Sequence, residues 1–339
     1  MSGQTDLFGE DEAPLPPAER APLPRRGAVM PAAPGESTLA LAASLPPGLR
    51  FGTSTWSFSG WQGLVYGGDY DEAKLAREGL AAYAAHPLLR AVGVDRSFYA
   101  PLDDRTLLRM AGAVPADFRF LLKAHAALML LRTARRPEYL EGVPEVFLDA
   151  EYARRVVIEP ALRHLGEKLG VILFQFSPLG DRVLRYRREL LQRLDDFLTA
   201  LPREARYAIE WRDRAMLGED YRDLLARHGI AHGFALHPRM PALEEQAAAD
   251  CAAVAGASTV PLIVRWLLAP GRGYEEAKSA YAPFDRLVDP DPATREAIVA
   301  LSARALAQGR EVMVIVNNKA EGSAPLSVAE LARAHAAVG

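Results

Sequence analysis

Eight short apolar runs recur along this chain, at residues 51–55, 91–95, 118–123, 171–176, 206–210, 230–235, 260–266 and 312–316. Continuous apolar runs of about five residues are what parallel strands buried on both faces require. Stretches of helical length and pattern separate them, at 71–85, 103–113, 149–168, 183–200, 215–228, 242–254, 291–308 and 326–337. Strict alternation of this kind predicts an α/β chain closed into a TIM-type (β/α)8 barrel rather than an open Rossmann sheet. Six of the segments that carry these runs also end in polar residues: 51–61, 91–99, 118–125, 170–178, 207–214 and 312–318. In a barrel, the C-terminal ends of the strands share one face, so those polar groups are expected to gather at one mouth.

Local signals support the division. Asp149 suits the cap of the helix expected at 149–168, and Gly229 and Gly309 suit helix ends that precede strands. Two connections exceed the usual βα length, 124–148 and 267–289; both follow strands and are expected over the mouth. Residues 1–47 are rich in Pro and Ala, with Pro14, Pro16, Pro17, Pro22, Pro24, Pro31 and Pro34 interrupting any regular element. They are expected to form a disordered tail, leaving 48–339 as the barrel domain.

The 339 residues suit a barrel of about 250 residues with an appendage. A net charge of −3 gives no global attraction to nucleic acid or anionic membrane. A single cysteine, Cys251, excludes an intramolecular disulfide framework and a Cys-rich metal site. No apolar run reaches the ~18–20 residues of a membrane span. Asp6, Glu10, Asp11 and Glu12 stand where a signal peptide would be basic and apolar, so a cytoplasmic location is expected. Phosphate-binding glycine loops, the G-x-S-x-G elbow and zinc-finger spacings are absent from the sequence.

The order GTSTWSFSGW, VGVDRSFY, LGVILFQFSP, IEWRD and NN-x₃-G-x-A, from about residue 50 to the C-terminus, resembles the domain-of-unknown-function 72 (YecE-like) family. That resemblance implies a TIM-type barrel without an established activity, likened to the barrels of xylose isomerase and apurinic endonuclease. The chain departs from the family pattern in places. Gly93 stands where the family usually has Glu, Asp95 where it often has Asn, and Asp213 where it favours His. Trp266-Leu267-Leu268 replaces Leu-His-Gly.

Glu210 and Arg212 end one strand two residues apart, so both side chains face the same way. Glu210 is the candidate general base or metal ligand, and Arg212 the clamp for a phosphate or carboxylate. Lys123 is the second candidate catalytic group, a nucleophile or an electrostatic clamp, with His125 two residues on. Arg265 is the natural second anion contact or a counter-charge for Glu210 or Asp95. Asp95, Gln175, Asn317 and Asn318 end other strands and suit recognition of hydroxyls, bases or phosphates. Trp56, with Phe58 and Trp61, and Tyr99 are the candidate aromatic rim. No resident cofactor is expected; the alternative is one divalent metal held by His232, His237 and Glu210. The Arg-rich stretch at Arg182, Arg185, Arg187, Arg188 and Arg193 also carries Glu189 and Asp195, and reads as a solvated helix face.

Gln4-Thr5-Asp6-Leu7-Phe8 resembles the peptide by which bacterial repair and replication proteins hold the sliding clamp. Gln4, Asp6, Leu7 and Phe8 would carry that contact, the Leu-Phe pair as apolar anchors. Three functions stay open on these residues. The first is binding of a phosphate-bearing ligand, nucleic acid foremost, with repair-type hydrolase or lyase chemistry. The second is isomerisation or hydrolysis of a sugar or sugar phosphate, and the third a non-catalytic adaptor on the clamp.

Overall fold

The computed structural model describes residues 27–131, 138–250 and 260–338. Its centre is a closed barrel of eight parallel strands in sequence order, β1 pairing with both β2 and β8. The strands are β1 (Leu49–Thr53), β2 (Leu89–Val94), β3 (Arg119–Lys123), β4 (Leu169–Gln175), β5 (Tyr207–Glu210), β6 (Ala231–Leu236), β7 (Leu262–Trp266) and β8 (Val312–Val316). Each overlaps one of the eight apolar runs. They are buried along nearly their whole length, because side chains point alternately into the barrel and into the helix layer.

The expected helices form with local breaks, except at 242–254. There a short helix at Leu243–Gln246 and a 3-10 turn at Ala247–Ala249 are seen, and 251–254 lie outside the described residues. The first, 71–85, divides at Gly79 into Glu72–Glu78 and Leu80–Ala84. The one at 149–168 starts on Asp149, whose carboxylate accepts from Tyr152 N, and contains a π-helical turn over Arg154–Ile158. Gly229 and Gly309 adopt φ of 64° and 74°, the left-handed geometry that ends a helix. No helix among the described residues is long and apolar enough to cross a membrane.

Two expectations need correction. The 267–289 connection is not all loop, since it contains a helix at Tyr274–Tyr281. Residues 27–47 are not a disordered tail. Ala32 N donates to Val65 O, Val29 is buried, and a helix spans Glu36–Ser44 with Leu41, Ala42 and Leu45 packed on the core. The prolines that argued against structure stop at Pro34, and the helix begins two residues later on Gly35 as its cap.

Candidate functional site

Strand register lifts a specific set of side chains to the mouth. Gln175 on β4 is level with Glu210 on β5, and Arg265 on β7 is level with Ala235 on β6. Asp95 follows the last residue of β2 and Lys123 is the last of β3. Ser97 Oγ lies 2.6 Å from the carbonyl oxygens of both Val94 and Lys123, which ties these two strand ends together.

Arg265 is the hub of this layer. It is only 2% exposed, and its Nη1 donates to Glu210 at 2.9 and 3.1 Å and to Gln175 Oε1 at 3.3 Å. Its Nη2 reaches Asp95 Oδ1 at 3.3 Å, so one guanidinium links β7 to β5, β4 and the end of β2. Arg212 pairs with Glu210 from the other side. Lys123 Nζ lies 3.7 Å from Asp95 Oδ1 and 4.1 Å from the centre of the Phe98 ring. Three cations therefore face two carboxylates in the top layer of the barrel core.

Gly233 makes room for this layer. A Cβ there would sit 3.1 Å from Glu210 Cβ, so even alanine would crowd the carboxylate. Gly93 also faces inward, where a Cβ would meet Ser54 Cα at 3.2 Å. Asp213, another departure from the family pattern, accepts from Leu179 N at 2.8 Å and so anchors the loop after β4.

Burial and charge act together on these groups. Burial alone would raise the Glu210 carboxyl, but Arg212, Arg265 and Lys123 outweigh it and hold it below the usual carboxylate range. Burial pushes the Lys123 ammonium down to about 8, with Asp95 opposing the shift. Arg212 is lowered by burial and by neighbouring Arg265, whereas Glu210 and Asp95 overcome burial to raise Arg265.

Above the layer opens a cavity of about 600 Å³. Asp95, Lys123, Gln175, Arg212, Arg265 and Asn317 line it, and Tyr99 stands at its edge, about half exposed. The two long connections contribute Tyr139 and Tyr274; Tyr139 meets Tyr99 edge-on at 5.1 Å. From the loop after β6, Arg239 adds a further cation and His237 a neutral imidazole, pushed down to about 4 by burial and by Arg212. Tyr139, Tyr274 and Arg239 were not singled out from sequence, although the two tyrosines lie in loops expected over the mouth. Glu210 does not line the cavity, since both its oxygens are held by arginines below.

Other sequence candidates lie elsewhere. Trp56 is buried in packing, donating Nε1 to Leu75 O at 3.1 Å beneath the Arg96 guanidinium, and is not part of a rim. Phe58 and Trp61 pack together, and Trp61 Nε1 donates to Asn318. Asn318 Oδ1 also accepts from Ala324 N at 2.8 Å, so Asn318 secures the start of the last helix rather than a ligand. His125 is buried, its Nδ1 2.7 Å from Tyr152 Oη, and is absent from the cavity wall. His232 packs on Tyr221 and Phe234 in the helix layer, its Nδ1 3.2 Å from Tyr221 Oη. It does not join Glu210 and His237, and among the described residues no three His, Cys, Asp or Glu groups assemble a metal site. Gln4, Asp6, Leu7 and Phe8 lie outside the described residues.

A second hollow, of about 610 Å³, lies beside the mouth between the loop after β3 and the helix Arg187–Ala200. Its lining is mostly apolar, from Met129, Leu130, Phe147, Leu179 and Leu190, and holds none of the charged layer. Of these two hollows, the one at the barrel mouth is lined by the charged layer.

Comparison with known proteins agrees with this architecture. Two solved DUF72 family proteins share the fold. That from Enterococcus faecalis V583 has a TM-score of 0.55 at 18% identity, over 85% of this chain and 95% of its own. That from Thermotoga maritima MSB8 has a TM-score of 0.53 at 20% identity, over 84% and 98%. A search of curated proteins returned no match. The family profile described as "Protein of unknown function DUF72" matches residues 50–338, and the chain belongs to that family.

Proposed function

We propose that the barrel mouth binds a phosphate-bearing ligand, with a nucleic-acid strand as the leading candidate and repair-type hydrolysis or lyase chemistry as its purpose. The carrying observation is the imbalance of the buried layer: Lys123, Arg212 and Arg265 against Glu210 and Asp95, beneath an open cavity. Arg212 Nη1 is buried and has no hydrogen-bond partner among the described residues. A phosphate oxygen satisfies such a donor and neutralises the surplus charge. Tyr99, Tyr139 and Tyr274 offer ring faces and edges to a neighbouring base. In this reading Glu210, locked between two arginines, positions them and is too acidic to serve as a base. Gln175 and Asn317 orient the ligand.

Fluorescence anisotropy with a labelled single strand and an abasic duplex, across a salt series, tests the proposal. Binding that weakens steeply with salt and disappears in Arg212→Ala supports it. No binding at low salt removes nucleic acid. The cavity volume, within the ~300–1,000 Å³ usual for small ligands, then favours a sugar phosphate as the second reading. A separate contact of the 4–8 segment with the sliding clamp predicts that deleting residues 1–12 abolishes clamp binding and leaves the mouth unaffected.

A further inference from the structure

Among the five lysines, Lys123 alone is both buried and on the cavity wall; Lys319 is as buried, at 5% exposed, but does not line it. Lys74, Lys168, Lys278 and Lys319 are the remaining four. Lys168 is held by the Ala111 and Val114 carbonyls, Lys319 lies over the Tyr274 ring, and Lys74 and Lys278 are on the surface. Lys123 is 6% exposed, yet it lines the cavity. Its one carboxylate neighbour, Asp95, stands at 3.7 Å, beyond hydrogen-bond distance, and the Phe98 ring covers another side. A desolvated amine beside other cations is the usual environment of a nucleophilic lysine.

We infer that Lys123 forms a Schiff base, and that the ligand of the mouth is a phosphate ester carrying an aldehyde or ketone carbonyl. This rests on the phosphate-binding reading above. Arg212 and Arg265 hold the phosphate while the Lys123 nitrogen lone pair adds to the carbonyl carbon. The carbinolamine loses its hydroxyl, with the nitrogen's proton passing to it through Asp95. One carbonyl and one primary amine thus become one imine and one water, with no change of oxidation state. Burial supports the step by keeping Lys123 down to about 8. At pH 8 its neutral fraction is roughly a hundredfold that of a lysine near the ordinary value of about 10.4.

Two probes separate the sources of such a carbonyl: glycolaldehyde phosphate, and an oligonucleotide with an abasic site. Each is mixed with the full chain, reduced with borohydride and mapped by peptide mass spectrometry, with the other lysines and the N-terminal amine as internal controls. The expected result is an adduct concentrated on Lys123 with at least one probe, suppressed by inorganic phosphate and absent from Lys123→Arg. Binding of inorganic phosphate is measured in parallel by calorimetry. Phosphate binding without a Lys123 adduct from either probe overturns this inference and leaves the phosphate reading standing. A Lys123 adduct that phosphate does not suppress, and that unphosphorylated glycolaldehyde gives equally well, overturns the phosphate reading and the ligand class inferred from it. Modification spread over Lys74 and Lys278 with Lys123 untouched overturns the inference, whatever the variant does.

Discussion

The barrel carries clusters of arginine and carboxylate at both ends, and they differ in what they leave over. At the floor, Glu311 pairs with Arg50 at 2.9 Å and with Arg206, while Arg50 Nε reaches Asp117 O at 3.2 Å. Arg119 donates to the Ala116 and Phe118 carbonyls at 2.9 and 3.0 Å. The gap among them is about 10 Å³, room for no more than one water. At the mouth, the same residue types stand under a cavity some sixty times larger. Each end leaves arginine nitrogen buried without a hydrogen-bond partner among the described residues, as at Arg119 Nε on the floor and Arg212 Nη1 at the mouth, so the hollow and not the donor separates them. Like charges do not by themselves mark a site. A cluster packed without space braces the strands, and one beneath a hollow has room for a ligand.

The sharpest break of this contrast is Glu210→Gln. It leaves Arg212 buried without its counter-charge and Arg265 with Asp95 alone, and denaturant unfolding should show a loss of about 3–5 kcal/mol. A loss under about 1 kcal/mol would mean that water compensates the layer and that it is no more closed than the floor. Lys123 comes next. Its folded value, about 8, lies below the unfolded one of 10.5, so between them the unfolded chain holds the proton that the folded chain has released. Stability should therefore rise with pH across that window, by on the order of 3 kcal/mol, and the rise should be missing from Lys123→Met. Parallel pH curves for the two proteins would place Lys123 in contact with solvent.

Arg212→Ala tests the unsatisfied donor. Ligand affinity should fall at least about tenfold, or 1.4 kcal/mol, measured by anisotropy or calorimetry. The smallest effect belongs to the floor. Glu311 is partly exposed, and Glu311→Gln should cost about 1 kcal/mol or less and leave ligand binding unchanged. A change in affinity there would end the distinction between the two clusters.

What could be read from sequence follows the same division. The barrel was legible because eight apolar runs have only one economical closure. Lys123, Gln175 and Arg265 were legible because strand alternation fixes which way a side chain in a strand points, and Asp95, Arg212 and Asn317 because they carry that alternation one or two residues past the strand end. Trp56, His125 and Asn318 lie two or three residues beyond their strands, where the alternation is not kept in every loop and a polar atom is as readily taken by Leu75, Tyr152 or Ala324. Tyr139, Tyr274 and Arg239 reach the cavity from connections whose course only tertiary packing sets. The helix at Glu36–Ser44 was hidden by the prolines before it, which say nothing about the residues after Pro34.

Arg265 also bears on how the protein comes apart. It lies in the second half of the barrel, with Glu210 and Arg212, while Asp95, Lys123 and Gln175 belong to the first. Its bonds reach back along the chain 170 positions to Asp95 and 55 to Glu210. A fragment ending after β4 would expose Lys123 and Asp95 without their guanidinium, and one beginning at β5 would hold two arginines on a single carboxylate. Neither half is electrically complete, so the proposed binding surface comes into being only when the ring closes. A ligand seated on it reports on the finished barrel and protects both halves at once.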